Sequence, residues 1–164
     1  MATSFVELDG RGFWCHDSLL EIWAHLMSEV LGDAGTQSLA EYGDYLHLQA
    51  TAGFRGCIDL RFDDFDAEGR EEIVRQAACL LARLRMEPGL LTARHLNELG
   101  LGGGEIEYTD VPIEYLQALT KHMVMLVRGE WPWGAGDKES LPGQWLDDER
   151  TRNADQGPSA DGVK

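Results

Sequence analysis

The chain is short of basic residues. Its 164 residues include only 14 lysines and arginines against 29 aspartates and glutamates, which gives a formal net charge of -15 and an isoelectric point near 4.5. So negative a protein repels the phosphates of nucleic acids and anionic membrane surfaces, and it attracts basic proteins. The composition therefore disfavours a nucleic-acid or membrane partner and favours a basic protein partner.

Cysteines and long apolar runs are also scarce. The three cysteines, Cys15, Cys57 and Cys79, are an odd number in no paired spacing, so the sequence predicts neither a disulfide framework nor a zinc site. No stretch approaches the roughly 20 apolar residues that a membrane span needs, and no basic region with an apolar run follows Met1. We therefore expect a cytoplasmic protein.

Recognisable catalytic and ligand motifs are missing as well. Residues 64–69 begin like a calcium loop, but the twelfth position, which needs a bidentate glutamate, is Arg75. We interpret Asp64 or Asp66 instead as the cap of a helix. The run Gly100–Gly104 does not match a dinucleotide-binding fingerprint and is predicted to be a mobile turn. The sequence therefore predicts no catalytic residue, no metal site and no cofactor.

Apolar periodicity indicates both strands and helices. Alternation on either side of Asp9-Gly10 predicts a hairpin, and alternation also predicts a central strand from Phe54 to Phe62 and a short one from Ile106 to Tyr108. Helices are predicted to begin near Ser18, Ser38, Glu68, Thr92 and Pro112. The first two serines each have a glutamate three residues later, which predicts capping boxes.

The element order predicts an α+β fold, with about four to five helices packed around a small, mainly antiparallel sheet. Residues 1–130 are predicted to form a single globular domain. Residues 131–152 are predicted to be a C-terminal extension docked on that domain. Residues 153–164 have almost no apolar content and are predicted to be a disordered tail.

Acidic residues are concentrated in two places, and two tryptophans flank Pro132 in a segment rich in proline and glycine. Converging carboxylates favour fast association with a basic protein, and large aromatic residues are frequent interface anchors. The partner-binding residues predicted on this basis are Asp59, Asp63, Asp64, Asp66, Glu68, Glu71, Glu72, Glu105, Glu107, Trp131 and Trp133.

Three stretches carry a resemblance to known proteins: residues 12–14 (GFW), residues 17–23 (DSLLEIW) and residues 96–100 (LNELG). They resemble a group of small, acidic, uncharacterised bacterial proteins, which in turn are similar to the immunity proteins of bacterial toxin systems. The resemblance implies a non-enzymatic inhibitor that neutralises a cognate basic toxin through its acidic surface.

Two alternative functions stay open. One is a small enzyme whose catalytic groups, such as Cys57 or Cys79 and a distant histidine, meet only in the fold. The other is an assembly or chaperone-like adaptor. Homo-oligomerisation stays open too.

Overall fold

A computed structural model of the chain describes residues 2–104 and 107–138. In this part of the chain, five helices are combined with two separate antiparallel pairs of short strands, so the predicted α+β class is confirmed. Glu105, Ile106 and residues 139–164 lie outside the described residues, and with them the end of the predicted extension and the predicted tail. Within the described ranges, no helix combines the length and the apolar character needed to cross a bilayer.

The N-terminal hairpin forms where the sequence predicts it. Strand β1 (Thr3–Leu8) pairs antiparallel with strand β2 (Arg11–His16), and Asp9 and Gly10 connect them with φ angles of 53° and 77°. Two successive positive φ angles are what a tight hairpin turn requires, and Asp-Gly adopts them readily. The inner side chains of both strands join the core.

Helix α1 (Asp17–Gly32) lies in the middle of the fold, in contact with helices α2 (Gln37–Thr51), α3 (Ala67–Leu84) and α5 (Ile113–Val127). The α1–α2 contact is close at Gly43. A Cβ atom there would lie 3.1 Å from the carbonyl oxygen of Ser28 and 3.3 Å from the Cβ of Leu31. The glycine that weakens α2 as an isolated helix is therefore what lets the two helices approach each other.

Both predicted capping boxes are wrong. α1 and α2 begin after His16 and Thr36, and the side chain of neither residue makes a capping hydrogen bond. The first expected partner, Glu21, is buried and accepts a hydrogen bond from the Tyr108 hydroxyl. The second, Glu41, accepts a 2.8 Å bond from Gln37 instead. In both cases the glutamate accepts a hydrogen bond from another side chain instead of from the backbone at the helix N-terminus.

The predicted central strand from Phe54 to Phe62 is also wrong. The alternating burial is present, because Ile58, Leu60 and Phe62 are buried while Asp59 and Arg61 are exposed. The segment nevertheless pairs with no strand and runs as irregular backbone into a 3-10 turn at Phe62–Asp64. Alternation shows only that one side of an extended segment is covered, and here side chains from β1, α1 and α2, rather than the backbone of a paired strand, supply its hydrogen-bond partners.

The second half of the chain follows the predicted helices more closely. Asp66 caps α3 as expected, since its carboxylate accepts a 2.8 Å hydrogen bond from the Gly69 amide. Helix α4 (Ala93–Glu98) is short, and strands β3 (Leu90–Leu91) and β4 (Val111–Pro112) form a second antiparallel pair that the sequence analysis missed. Of the strand predicted from Ile106, the described residues Glu107 and Tyr108 belong to no strand.

The glycine run lies against the end of α2. Leu101 and Gly102 are buried, and a Cβ atom at Gly53 would lie only 3.2 Å from the Gly102 carbonyl oxygen. Gly102 and Gly103 have φ angles of 60° and 71°, a left-handed backbone conformation that is unfavourable for residues with a Cβ atom. The prediction of a mobile turn does not fit this packing.

Candidate functional site

Side chains rather than a strand ladder fix the backbone of residues 56–60. The Asp17 carboxylate accepts a 2.6 Å hydrogen bond from the Gly56 amide, and the Ser4 hydroxyl oxygen accepts a 2.9 Å bond from the Ile58 amide. The Ser4 hydroxyl in turn donates to Asp17 at 2.7 Å. Both Ser4 and Asp17 are buried, so one end of the segment is attached to the hairpin and the start of α1.

Helix α2 holds the other end of the same segment. The Tyr42 hydroxyl donates a 2.6 Å hydrogen bond to the Leu60 carbonyl, and the Tyr45 hydroxyl donates a 2.9 Å bond to the Asp59 carbonyl. The Asp59 amide donates to the Gln49 side chain at 3.1 Å. The backbone that carries the first predicted site residue is therefore positioned from two sides before any partner binds.

Immediately after this segment, the chain presents acids on two consecutive elements, the 3-10 turn Phe62–Asp64 and the start of α3. Phe62 points into the core, which leaves its acidic neighbours exposed. Between residues 59 and 72 there are seven acidic residues and only two arginines. We call these seven acids the acidic surface: Asp59, Asp63, Asp64, Asp66, Glu68, Glu71 and Glu72.

About half of the acidic surface is neutralised within the molecule. Three acids have arginine partners, and the pairs are Asp59–Arg61 at 3.9 Å, Glu71–Arg128 at 3.7 Å and Glu72–Arg75. In the part of the chain that the structure describes, Asp63, Asp64 and Glu68 form no ion pair. These three carboxylates are the strongest source of uncompensated negative charge at this site.

The outer side of α2 extends the acidic surface and was missed in the sequence analysis. Glu41, Asp44 and Leu48 are exposed there, and Tyr45 is partly exposed. The Tyr45–Asp59 hydrogen bond joins this side of the helix to the acidic surface. The helical spacing of these four residues, opposite the buried Leu39 and Leu46, is a signal that would have found them.

Of the two tryptophans predicted as anchors, Trp131 is in the core of its own chain. It is 1% exposed, its indole N–H donates a 2.9 Å hydrogen bond to the Gly12 carbonyl, and its ring lies 5.0 Å from that of Phe13. Trp133 is half-buried beside it, and its carbonyl accepts a 2.9 Å bond from the Gly12 amide. Contacts with the N-terminal hairpin therefore bury Trp131 within its own chain, and we do not count it among the partner-binding residues.

The other predicted acids, Glu105 and Glu107, lie in a different part of the chain from the acidic surface. Glu107 is exposed on the loop after the glycine run, where it lines a cavity of about 350 Å³ together with Asn97 and Tyr108. Glu105 lies outside the described residues. The structure therefore places Glu107 on other elements than those that form the acidic surface.

The buried ionisable groups are poor candidates for catalysis. Burial raises the pKa of Glu21, although the Tyr108 hydroxyl donates to its carboxylate and Arg55 lies near. Burial also raises the pKa of the Cys15 thiol far above its ordinary value, and the Asp17 carboxylate adds to this, so the reactive thiolate is suppressed. Among the described residues, no group of three or more histidines, cysteines or carboxylates is arranged to hold a metal ion.

Comparison with known proteins adds no further information about function. No protein-family model, curated protein or solved structure matches this chain. The geometry and charge of the acidic surface are therefore the observations from which a function can be inferred.

Proposed function

We propose that the chain is a non-enzymatic binding protein, an immunity-type inhibitor that neutralises a basic partner protein, such as a bacterial toxin, by covering it with the acidic surface. The observation that supports this most strongly is that Asp63, Asp64 and Glu68 are exposed and lack an ion pair among the described residues. A basic partner would supply the cations that this part of the chain does not.

Electrostatic attraction favours a basic partner both at long range, before contact, and at short range, within the complex. At long range, the net charge of -15 steers a basic protein towards the chain and raises the association rate. At short range, close charge pairs slow dissociation once solvent is excluded around them. The side-chain hydrogen bonds that fix residues 56–60 limit the ordering cost of binding, because that backbone is already in place.

The enzyme alternative has weaker support. A nucleophilic cysteine needs access to substrate and a base that makes its thiolate. Cys15 is buried with a raised pKa, and Cys57 and Cys79 are exposed but their thiols hydrogen-bond to no histidine among the described residues. Glu21, like Cys15, is fully buried. The adaptor alternative uses the same acidic surface and differs only in what binding does to the partner.

A pulldown from the native host at low salt, followed by an activity assay, tests the proposal. We expect one basic protein in stoichiometric amount, and we expect its activity to fall to zero as the chain reaches equimolar concentration. A stoichiometric partner whose activity is unchanged would identify an adaptor instead. Recovery of no basic partner at low salt would contradict the proposal.

A further inference from the structure

Arg61 lies within the acidic surface in an unusual position. Its backbone is left-handed, with φ 50° and ψ 39°, a conformation that costs a non-glycine residue about 1 kcal/mol or more. The guanidinium carbon lies 4.7 Å from the centre of the Tyr45 ring, and the Nε atom lies 3.9 Å from an Asp59 carboxylate oxygen. An aromatic face and a carboxylate are the two groups that recognise a guanidinium best.

Both walls of this site are held by other contacts. The Tyr45 hydroxyl bonds to the Asp59 carbonyl, and its ring stacks on that of the buried Tyr42 with centroids 6.3 Å apart and planes inclined by 14°. Gln49 accepts from the Asp59 amide, and the Asp59 carboxylate accepts a 3.0 Å hydrogen bond from the Arg61 backbone amide, so the carboxylate is fixed too. Removing the Arg61 side chain would therefore leave the tyrosine face and the carboxylate where they are.

The contact that Arg61 makes is weak enough to exchange. The Arg61 and Asp59 side chains are 54% and 66% exposed, and an ion pair so open to water contributes little. Asp63 and Asp64, which form no ion pair with the described part of the chain, follow Arg61 closely and keep the local field negative. A second guanidinium is therefore attracted to a site that the chain's own arginine occupies only loosely.

From this geometry we infer that the Tyr45–Asp59 site is an arginine-binding site, which Arg61 fills in the free protein and an arginine of the basic partner takes over on binding. The inference rests on the proposed function and adds which side chain the partner must present. Arginine is favoured over lysine because a planar guanidinium stacks on the ring while it faces the carboxylate, and a compact ammonium does this less well. Arg61 is thus an intramolecular competitor of the partner.

Calorimetric titration with hexaarginine and hexalysine at low salt tests the inference. Arg61→Ala removes the competitor, and Arg75→Ala is the matched control because it removes the same charge from the acidic surface without opening the tyrosine face. We expect Arg61→Ala to tighten hexaarginine binding about 2- to 5-fold more than hexalysine binding. Arg75→Ala should change the two affinities by the same factor.

Each other outcome has a defined meaning. If Arg61→Ala changes both affinities by the same factor as Arg75→Ala, only charge matters, so the inference is overturned while the acidic surface remains a binding surface. If neither peptide binds the unmodified chain at low salt, the proposed function fails together with the inference. Arg61→Gly, which suits the left-handed backbone, replaces Arg61→Ala if the alanine variant folds poorly.

Discussion

Replacing Tyr42 by phenylalanine tests whether side chains from α2 fix the segment that carries the acidic surface. The substitution keeps the buried ring and its 4.7 Å edge contact with Phe65, and it removes only the hydroxyl that donates to the Leu60 carbonyl. Tyr42 and Leu60 are 6% and 4% exposed, so water does not easily replace the lost donor. We expect a loss of about 1–3 kcal/mol in the free energy of unfolding, since a buried acceptor is left unsatisfied.

Tyr45→Phe is the matched control. It removes a hydroxyl that donates to the carbonyl of the preceding residue, Asp59, but Asp59 is exposed and water can take the vacant position. We therefore expect a loss of about 0.5 kcal/mol or less. The two variants differ in the burial of one hydrogen bond and hardly at all in chemistry.

Urea unfolding measures both variants. The midpoint should fall for Tyr42→Phe with an unchanged slope, and the melting temperature should fall by roughly 2–4 °C for each kcal/mol lost. Amide exchange at residues 58–60 should also accelerate in this variant. Equal losses in the two variants, or a larger loss in Tyr45→Phe, would refute the reasoning about burial.

Three further changes test other parts of the fold. Gly43→Ala should lower the free energy of unfolding despite the better helix propensity of alanine, by about 1–3 kcal/mol in urea unfolding, because its methyl group would overpack against the Ser28 carbonyl. Trp131→Ala should cost about 3–5 kcal/mol in the same assay, since it leaves a large cavity and removes the indole hydrogen bond to the Gly12 carbonyl; no measurable loss would show that the segment is not docked. Glu21→Gln should flatten the pH dependence of stability. Burial raises the pKa of Glu21, so the stability linked to its protonated form is complete below the ordinary value of 4.5 and is lost as pH rises through the folded-state pKa. As the pH rises from 4 to 8, the melting temperature of the variant should therefore increase relative to that of the unmodified protein. A difference that stays constant over this pH range would contradict the prediction.

Local signals predicted the elements whose stability is local. Asp9 and Gly10 themselves adopt the positive φ angles that their turn requires. Asp66 caps α3 by accepting a hydrogen bond from an amide only three residues further along the chain. The strand predicted from Phe54 to Phe62 failed for the opposite reason. Its alternation is real, but hydrogen-bond partners such as Ser4 lie as far as 54 residues away along the chain, where no local pattern indicates them.

In the candidate site, too, the residues grouped locally in sequence were predictable and those placed by long-range contacts were not. The acids of the acidic surface are near one another because they all lie within residues 59–72, so the local composition was enough to find them. Helical spacing would have added Tyr45 and Leu48 on the outer side of α2. The burial of Trp131 depends on a hydrogen bond to Gly12 across 119 residues, which no spacing rule reveals.

Charge reversal on the acidic surface, measured as affinity for the captured basic partner, tests the central claim most directly. Asp63→Lys with Asp64→Lys is the preferred pair, because neither residue has an ion pair in the described structure and neither caps α3, as Asp66 does. Glu87→Lys with Glu98→Lys changes the net charge equally at two exposed acids outside the acidic surface, one just after α3 and one at the end of α4.

We predict that the first pair weakens binding about tenfold or more and slows association, whereas the second pair changes the affinity less than threefold at physiological salt, where the field of distant charges is screened. Equal losses in both double variants would mean that only net charge matters. Unchanged affinity in Asp63→Lys with Asp64→Lys would contradict the claim that the acidic surface binds the partner.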